Sequence, residues 1–323
     1  IVFAGKSPNS RNMLSTIRRF ARKNYVAAAR MMSTGRDIAD DEIFVITGGG
    51  SGIGQATTLK LLERGITTLV MGPIEKELVD TDAKAKEMGL KGEMIGVLAD
   101  IRAKEGRQAV SDAITKSGKT LRTIIHNAGV NTPCKMMMDI GVEDWERVMS
   151  INMNGPLYLT QELYKHFGKT DTDKNRILFL STIAKECKGL PNYGPYCVSK
   201  LGSYGIALMM REEFPTAEVP VYVSTVIPGE VDTEMQRQTA FSSSSGFPDH
   251  LVKHWRKLQE TKQLLPPTVP GTFISWLVTD TDPKEFQEND WFVYEDWHHS
   301  RWAQKFIDDG VKIVEPKGLT DAH

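Results

Sequence analysis

The stretch EIFVITGGGSGIGQATTLKLLERG, residues 42–65, decides the fold of this chain. It opens with a continuous apolar run, Ile-Phe-Val-Ile at residues 43–46, which suits a strand buried on both faces. A glycine-rich turn follows at residues 47–54, and residues 55–64 then place apolar side chains at helical spacing. Strand, glycine turn and helix in this order form the first half of a nucleotide-binding βαβ unit.

Three glycines are the fixed points of the turn: Gly48, Gly52 and Gly54, in the pattern Thr-Gly-x-x-x-Gly-Ile-Gly. Because glycine has no Cβ, the backbone can reverse tightly there and approach a pyrophosphate closely. The free N–H groups and the dipole of the following helix then face that anion. Glycine-rich turns also occur in ordinary loops, but the strand before this turn and the helix after it favour a dinucleotide site.

Length and composition narrow the possible functions. With 323 residues the chain can hold one large α/β domain or two small ones, and 40% apolar with 25% charged residues is usual for a globular protein. A net charge of −1 offers no general attraction to nucleic acid or to an anionic membrane. The three cysteines lie at unrelated spacings, which indicates a reducing compartment and neither a disulfide framework nor a zinc site. No apolar run has the length of a membrane span. We therefore expect no nucleic-acid partner and no membrane-spanning segment.

The N-terminal segment differs from the rest of the chain. Residues 1–36 contain eight Lys and Arg residues and no acid, and their apolar residues recur on one helical face. A basic, amphipathic, acid-free segment is typical of an organelle transit peptide. We therefore expect residues 1–36 to direct the protein to the mitochondrial matrix, and residues 37–323 to form a single folded domain. The alternative is a basic arm that contacts a polyanion, and the protein would then be cytoplasmic.

Short apolar runs alternate with amphipathic segments after the glycine turn. Strands are predicted at residues 67–71, 93–99 and 121–126, and helices at residues 75–88 and 103–116. This rhythm predicts an α/β fold, namely a doubly wound, Rossmann-type, mostly parallel sheet of about seven strands with helices on both faces.

Two later segments lack this rhythm. Residues 236–270 are predicted to be irregular, and we expect a substrate-covering loop at about residues 234–270. Residues 291–323 form an aromatic C-terminal tail, whose side chains are expected to cover the sheet edge or to form an oligomer contact. His298 and His299 are adjacent and therefore point in different directions, so they are a poor metal pair and no metal site is expected.

Tyr196 and Lys200 lie four residues apart and therefore on one face of a predicted helix. A free phenol has a pKa of about 10, but a nearby ammonium and a positive nicotinamide ring lower it. The phenol can then exchange a proton with an alcohol or carbonyl oxygen while hydride moves. The predicted strand at residues 177–180 delivers Ser181 and Thr182 to the same edge of the sheet, where a hydroxyl could hold that oxygen. An isolated pair of this spacing is common by chance, whereas its place after a nucleotide-binding unit favours catalysis.

The residues after the second strand usually select the cofactor. An acid there binds the ribose hydroxyl of NAD, and a base binds the additional phosphate of NADP. This chain has Gly72 and Pro73 at that place, followed by Glu75 and Lys76 at the start of a helix. Either of the latter side chains could simply be solvated, so NAD and NADP remain alternatives.

Five ordered motifs together resemble the short-chain dehydrogenase/reductase family in its compact, single-domain branch. They are TGGGSGIG at residues 47–54, NAG at residues 127–129, Asn152, the Tyr196-x-x-x-Lys200 pair and PGEVDT at residues 228–233. The match covers about residues 42–233, and an ordered set is far more specific than any single motif.

The resemblance implies roles for the matched residues. It makes Tyr196 the acid/base, gives Lys200 the tasks of lowering its pKa and holding the nicotinamide ribose, and assigns Asn152 to a water-linked proton relay. Asp100 is implied to border the adenine. The other cofactor-binding residues that it implies are Gly48, Ser51, Gly52, Ile53, Gly54, Ile101, Asn127, Ala128, Gly129, Pro228, Gly229, Val231 and Thr233.

One departure from the family concerns the hydroxyl donor. The family usually has two serines after the fifth strand, of which the second is catalytic, and Thr182 stands at that place here. The interval before Tyr196 is also about one residue longer than usual, which would let Ser181 serve instead. Family position favours Thr182, because the additional residue fits better within residues 185–188, beyond the strand.

We therefore expect an NAD(P)-dependent oxidoreductase that acts on a small-molecule ketone or secondary alcohol. The segment around residues 221–236 loosely resembles carbonyl reductases of the sepiapterin or benzil type. By the same resemblance the chain is expected to form a homodimer or a homotetramer. The alternative is a catalytically idle dinucleotide-binding member of the family that acts as a structural or regulatory subunit.

Overall fold

The computed structural model describes residues 40–182, 190–241 and 246–316, without the side chains of residues 239–241. The predicted transit peptide at residues 1–36 lies outside these ranges. The same holds for residues 185–188 and for the last residues of the C-terminal tail.

Seven strands belong to one sheet. The strands are β1 Glu42–Thr47, β2 Thr67–Gly72, β3 Met94–Leu98, β4 Thr120–His126, β5 Arg176–Leu180, β6 Tyr222–Ile227 and β7 Asp290–Phe292. The helices are α1 Gly52–Glu63, α2 Glu75–Glu87, α3 Lys104–Ser117, α4 Val142–Met149, α5 Gly155–Leu163, α6 Gly194–Glu213, α7 Glu234–Phe241, α8 Asp249–Glu260, α9 Thr268–Asp280, α10 Pro283–Glu288, α11 His299–Trp302 and α12 Gln304–Asp308. A π-helical turn at Ser150–Asn154 joins α4 to α5.

The sheet is parallel throughout, in the order β3-β2-β1-β4-β5-β6-β7. This confirms the predicted doubly wound, Rossmann-type fold. From β1 the chain builds outward first to β2 and β3 and then, on the other side, to β4. In sheets of this kind ligands bind outside the carboxyl ends of the strands at that switch point.

Both faces of the sheet carry a hydrophobic core, as the uninterrupted apolar sequence of β1 predicted. Ile43 and Val45 pack on one face with side chains from α3, α5 and α6. Phe44 and Ile46 pack on the other face with side chains from α1, α2 and α9. All four side chains are fully buried. Strand β1 thus lies between two packed layers, and the glycine turn follows directly at its carboxyl end.

The prediction of an irregular stretch at residues 236–270 is wrong, because α7, α8 and the start of α9 occupy most of it. Leu251, Trp255 and Leu258 of α8 are buried and recur at positions i, i+4 and i+7. That is the helical period, so the signal was present in the sequence. The substrate-covering role of this region stays a prediction.

The aromatic C-terminal segment packs at the β7 edge of the sheet. Trp291 of β7 is fully buried and meets Phe273 of α9 edge to face, with a ring-centroid distance of 6.4 Å. Trp302 stacks on Phe273 at 4.7 Å. His298 donates from Nε2 to the Phe292 carbonyl at 3.0 Å and accepts at Nδ1 from the Trp302 indole at 2.9 Å. These contacts cover β7, and both ring nitrogens of the buried His298 are hydrogen-bonded.

Two further properties concern the described part of the chain alone. None of its helices is long and apolar enough to cross a membrane. It also contains no group of three or more His, Cys, Asp or Glu side chains arranged to hold a metal ion.

Candidate active site

The glycine turn forms a cradle that only glycine can build. Gly48 and Gly52 have φ angles of 64° and 51°, a region that favours glycine. A Cβ on Gly54 would lie 2.0 Å from the Gly48 carbonyl oxygen. Helix α1 starts at Gly52, and the side chain of Ser51 before it makes no capping hydrogen bond. The first N–H groups of α1 therefore remain available to an anion in the turn.

A cleft of about 430 Å³ opens above this cradle, at the carboxyl ends of the strands. Most of the predicted site residues line it: Gly48, Ser51, Gly52, Ile53, Gly54, Asp100, Ile101, Asn127, Ala128, Gly129, Ser181, Tyr196, Lys200, Pro228 and Thr233. A smaller cavity of about 180 Å³ adjoins the cleft. Ser181 and Tyr196 line both, whereas Thr182, Gly229 and Val231 line the smaller cavity alone.

Asn127 holds the cradle in place. Its Nδ2 donates to the carbonyl oxygens of Thr47 and Gly48, each at 2.9 Å. The Thr47 hydroxyl in turn accepts the backbone N–H groups of Asn127 and Ala128. These bonds tie the end of β4 to the end of β1 across the switch point, so that Asn127 shapes the cleft as well as lining it.

Arg102 is a cleft residue that the sequence reading missed. Its guanidinium pairs with the Asp100 carboxylate, with Nε 2.9 Å from Oδ2, and this hydrogen bond lowers the pKa of Asp100. Arg102 lines the cleft beside Gly72 and Pro73, at the carboxyl ends of β2 and β3. In the sequence, the sign of this role is a basic residue two positions after Asp100. Arg102 comes near the end of β2 only because β2 and β3 pair.

Helix α6 carries Tyr196 and Lys200, as predicted. The Lys200 ammonium donates to the Leu180 carbonyl oxygen at 2.8 Å and lies 5.9 Å from the centroid of the Tyr196 ring. Burial lowers the pKa of Lys200 to about 8. Burial also raises the pKa of Tyr196 to about 12, although its hydrogen bond with Thr182 acts in the opposite direction. Burial therefore opposes the lowering of the Tyr196 pKa that was expected from the sequence.

The two candidate hydroxyl donors differ in their contacts. The Thr182 side chain is hydrogen-bonded to the Tyr196 phenol. Ser181 donates its backbone N–H to the Val226 carbonyl at 2.8 Å, but its buried Oγ has no partner among the described residues. Thr182 is thus the residue already engaged with the tyrosine.

Asn152 lies in the π-helical turn and lines neither cavity. Its Oδ1 accepts the Val130 N–H, and its Nδ2 donates to the Val130 carbonyl, both at 2.8 Å. Nδ2 also donates to the Ser199 hydroxyl at 2.9 Å. Asn152 thereby ties the segment after β4 to α6, the helix that carries Tyr196. The proton relay implied for Asn152 stays a prediction.

Comparisons with known proteins agree with this geometry. The model of the short chain dehydrogenase family matches residues 42–242. The benzil reductase ((S)-benzoin forming) of Bacillus subtilis is 30% identical over 243 residues, which cover 75% of this chain and 95% of the relative. A 3-oxoacyl-[acyl-carrier-protein] reductase of Thermotoga maritima is 27% identical over 63% of this chain and 82% of its own. A short chain dehydrogenase/reductase structure from Saccharomyces cerevisiae superposes with a TM-score of 0.70 at 23% identity, over 81% of this chain and 99% of the other.

Proposed function

The chain belongs to the short-chain dehydrogenase family, and on that premise we propose that it transfers hydride between a nicotinamide and a ketone or secondary alcohol. The observation that carries the proposal is the Tyr196 phenol, hydrogen-bonded to Thr182 where the larger cleft meets the smaller cavity. The larger cleft suits the dinucleotide, and the smaller cavity suits the substrate. The similarity to a benzil reductase supports a carbonyl substrate.

The residues of the cleft fit a nicotinamide dinucleotide. The Gly48–Gly54 cradle has no room for a Cβ on Gly54, so the backbone itself would contact the pyrophosphate. Lys200, which lines the cleft near the candidate reaction centre, would donate to the nicotinamide ribose. When bound, the cofactor supplies or accepts hydride at C4 of the nicotinamide.

Tyr196 acts as the proton donor in the reductive direction. Since burial raises its pKa to about 12, the phenol is protonated at neutral pH and can give its proton to a ketone oxygen. The Thr182 hydroxyl holds the same oxygen. With a pKa of about 8, Lys200 is mostly an ammonium at neutral pH, and its charge stabilises the phenolate left behind.

We propose NADP as the dinucleotide, on the basis of the residues at the carboxyl ends of β2 and β3. The carboxyl end of β2 carries Gly72 and Pro73, and the nearest acids of the cleft lining are Glu77 of α2 and Asp100, which is paired with Arg102. The Arg102 guanidinium lines the cleft beside them, and we propose that it binds the additional phosphate with the N–H groups that its pairing with Asp100 does not use.

The test is reduction of a panel of diketones and aryl ketones by purified protein, followed by the loss of reduced-nicotinamide absorbance with NADPH and NADH. Tyr196→Phe is expected to reduce turnover by a factor of about a hundred or more. Tyr204→Phe is the matched control, because Tyr204 lies on the same helix but its hydroxyl donates to Asp290 and not to Thr182. Cofactor binding without turnover of any ketone or alcohol would favour the idle, regulatory alternative.

Oligomerisation is proposed from the surface of α5 and α6. Tyr158, Val198, Leu201 and Met209 are apolar side chains on these helices that remain 38–57% exposed. Two copies that pack these helices together would bury them. Sedimentation of the purified protein at several concentrations tests this, and a monomer throughout would rule it out.

Import into the mitochondrial matrix is proposed from the composition of residues 1–36 alone. A fluorescent fusion that carries residues 13–40 is expected in mitochondria. Cytosolic fluorescence would contradict import, and a mature protein that retains residues 13–30 would contradict cleavage.

A further inference from the structure

Two side chains of α1 hold backbone carbonyl groups of the glycine turn. The Thr58 hydroxyl donates to the Gly49 carbonyl oxygen at 3.0 Å. The side-chain amide of Gln55 donates from Nε2 to the Gly50 carbonyl oxygen at 3.2 Å. In a trans peptide the C=O and N–H groups point in opposite directions. A carbonyl that is held on one side therefore also sets the direction of the N–H group of the next residue.

The Gly50 carbonyl points away from the cleft lining. Within the described part of the chain, that lining includes Ser51 but neither Gly50 nor Gln55. Because Gln55 holds the Gly50 carbonyl on its own side, the N–H of Ser51 points the other way, toward the cleft. Backbone N–H groups at the start of a helix are the groups that bind phosphate. The orientation of the Gly50–Ser51 peptide thus affects how well the turn can receive an anion.

Thr81 of α2 fixes the position of the Gln55 amide. Thr81 is fully buried, and its hydroxyl accepts a hydrogen bond from Gln55 Nε2 at 2.9 Å. The single proton of that hydroxyl is shared between the carbonyl oxygens of Glu77 at 2.7 Å and Gly50 at 3.1 Å. Gln55 therefore uses both N–H bonds of its amide, one toward Gly50 and one toward Thr81. These two side chains join α1, α2 and the turn.

Helix α2 contacts the turn at the same glycine. A Cβ on Gly50 would lie 2.8 Å from Glu77 Cβ and 3.1 Å from the Glu77 carbonyl carbon. Glu77 lines the cleft, and so do Pro73 and Ile74 directly before α2. The contact at Gly50 therefore sets the spacing between two parts of the cleft lining, the glycine turn and the first turn of α2.

We propose that Gln55 and Thr81 are positioning residues of the dinucleotide site, which orient the Gly50–Ser51 peptide and set the spacing between the glycine turn and α2. The inference rests on the proposed function and deepens it at the same cleft. Both side chains act through the backbone, whose N–H groups would meet the pyrophosphate. NADPH and NADH share that pyrophosphate, so the pair acts on the affinity for both and leaves the hydride step unchanged.

The experiment removes the two side-chain groups and measures cofactor affinity. Gln55→Met nearly keeps the length of the side chain and removes both N–H donors. It is expected to raise the Kd values of NADPH and NADH by one common factor of about three to ten, as measured by fluorescence titration. At saturating NADPH, kcat is expected to stay unchanged, because the lost interaction supports binding alone.

The second position tests whether the two side chains act together. Thr81→Val is expected to raise both Kd values in the same way, and Thr81→Ser, which restores the hydroxyl, is expected to recover the affinity. The double variant Gln55→Met/Thr81→Val should bind no more weakly than Gln55→Met alone, because both changes break the same link.

Thr279→Val is the matched control for the loss of a buried hydroxyl. Thr279 of α9 is fully buried, and its hydroxyl bonds the Ser275 carbonyl oxygen at 2.7 Å and the Asp280 carboxylate. Asp280 pairs with Arg64, directly after the last residue of α1, so this group lies at the other end of α1 from the turn. Thr279→Val is expected to lower the unfolding temperature, as Thr81→Val does, and to leave both Kd values unchanged.

Four results would overturn the inference. Unchanged Kd values in Gln55→Met would show that the link does not affect binding. A rise confined to NADPH would place the effect at the additional phosphate, and an equal rise in Thr279→Val would reduce it to a general loss of stability. Additive effects in the double variant would contradict a shared link. Since Gln55 is partly exposed, its variant tests the idea even where Thr81→Val does not fold.

Binding and turnover are measured separately, so the two proposals can fail separately. A wild type that binds both dinucleotides but reduces no ketone, with weaker binding in Gln55→Met, would refute the hydride transfer and support the positioning role. Ketone reduction by the wild type, with equal Kd values in wild type and Gln55→Met, would support the hydride transfer and refute the positioning role. A wild type that binds neither dinucleotide would refute both.

Discussion

Replacing Thr182 with valine removes one hydroxyl and nearly preserves the shape of the side chain. In the structure this hydroxyl is bonded to the Tyr196 phenol, so it lies beside the position that a substrate oxygen takes next to Tyr196. That oxygen gains negative charge as hydride arrives. Loss of a single donor to such charge costs about 3 kcal/mol, or about a hundredfold or more in turnover. Thr182→Val is therefore expected to reduce kcat about a hundredfold and to leave cofactor affinity unchanged.

The neighbouring serine is the internal comparison. Ser181→Ala removes a hydroxyl that has no partner within the described residues, so its effect on kcat is expected to stay below about tenfold and its effect on stability to be small. Thr182→Ser restores the hydroxyl without the methyl group and is expected to recover most of the activity. The assay is steady-state ketone reduction, with NADPH affinity measured separately by fluorescence.

The opposite pattern, a severe Ser181→Ala and a mild Thr182→Val, would refute this reasoning and move the oxygen-binding role by one residue. It would mean that the bond between Thr182 and Tyr196 is exchanged for one to Ser181 when ligands bind. If neither change matters and Tyr196→Phe is equally active, hydride transfer at this site is refuted altogether.

Three further outcomes are expected. Gly54→Ala should destabilise the fold by about 1–3 kcal/mol, because the added Cβ would lie 2.0 Å from the Gly48 carbonyl oxygen. It should also abolish the rise in unfolding temperature that NADPH causes. An unchanged rise, measured by calorimetric unfolding, would contradict the binding of the cofactor at this turn. Arg102→Ala should raise the Kd of NADPH about tenfold and barely change the Kd of NADH, as measured by fluorescence titration. Equal changes in the two Kd values would argue against a contact between Arg102 and the additional phosphate. The pKa of Lys200 lies at about 8 in the folded chain and at 10.5 when unperturbed, so between these values the unfolded chain binds more protons and stability rises with pH. Denaturant titrations should show this rise, up to about 3 kcal/mol, in the wild type and not in Lys200→Met, and equal slopes would refute the buried ammonium.

Patterns local in the chain were readable from the sequence. The apolar run of β1, the glycine turn and the start of α1 follow from periodicity and from the backbone conformations that only glycine adopts without strain. The spacing of Tyr196 and Lys200 places both on one face of α6, since residues four apart are neighbours on any helix. Such features are encoded within one element and its turn, and therefore do not depend on the rest of the fold.

The prediction failed where two local patterns, composition and helical periodicity, indicated different structures. The serines, prolines and charged residues of residues 236–270 suggested an irregular loop, yet α8 buries Leu251, Trp255 and Leu258. Tertiary packing decided the outcome, because an amphipathic helix of modest propensity becomes stable once its apolar face is covered. The helical period was visible there but was outweighed by composition.

The sequence by itself determined the parallel sheet, the glycine cradle and the helix that carries the candidate acid/base. Tertiary structure alone decided which hydroxyl meets Tyr196, and it brought Arg102 beside the end of β2. It also brought Glu315, 85 residues after Glu230, to the lining of the same smaller cavity. The physical reason is that hydrophobic periodicity and turn chemistry act over a few residues. The neighbours of a side chain across a cavity depend on how whole helices and strands pack, and no local sequence pattern encodes that packing.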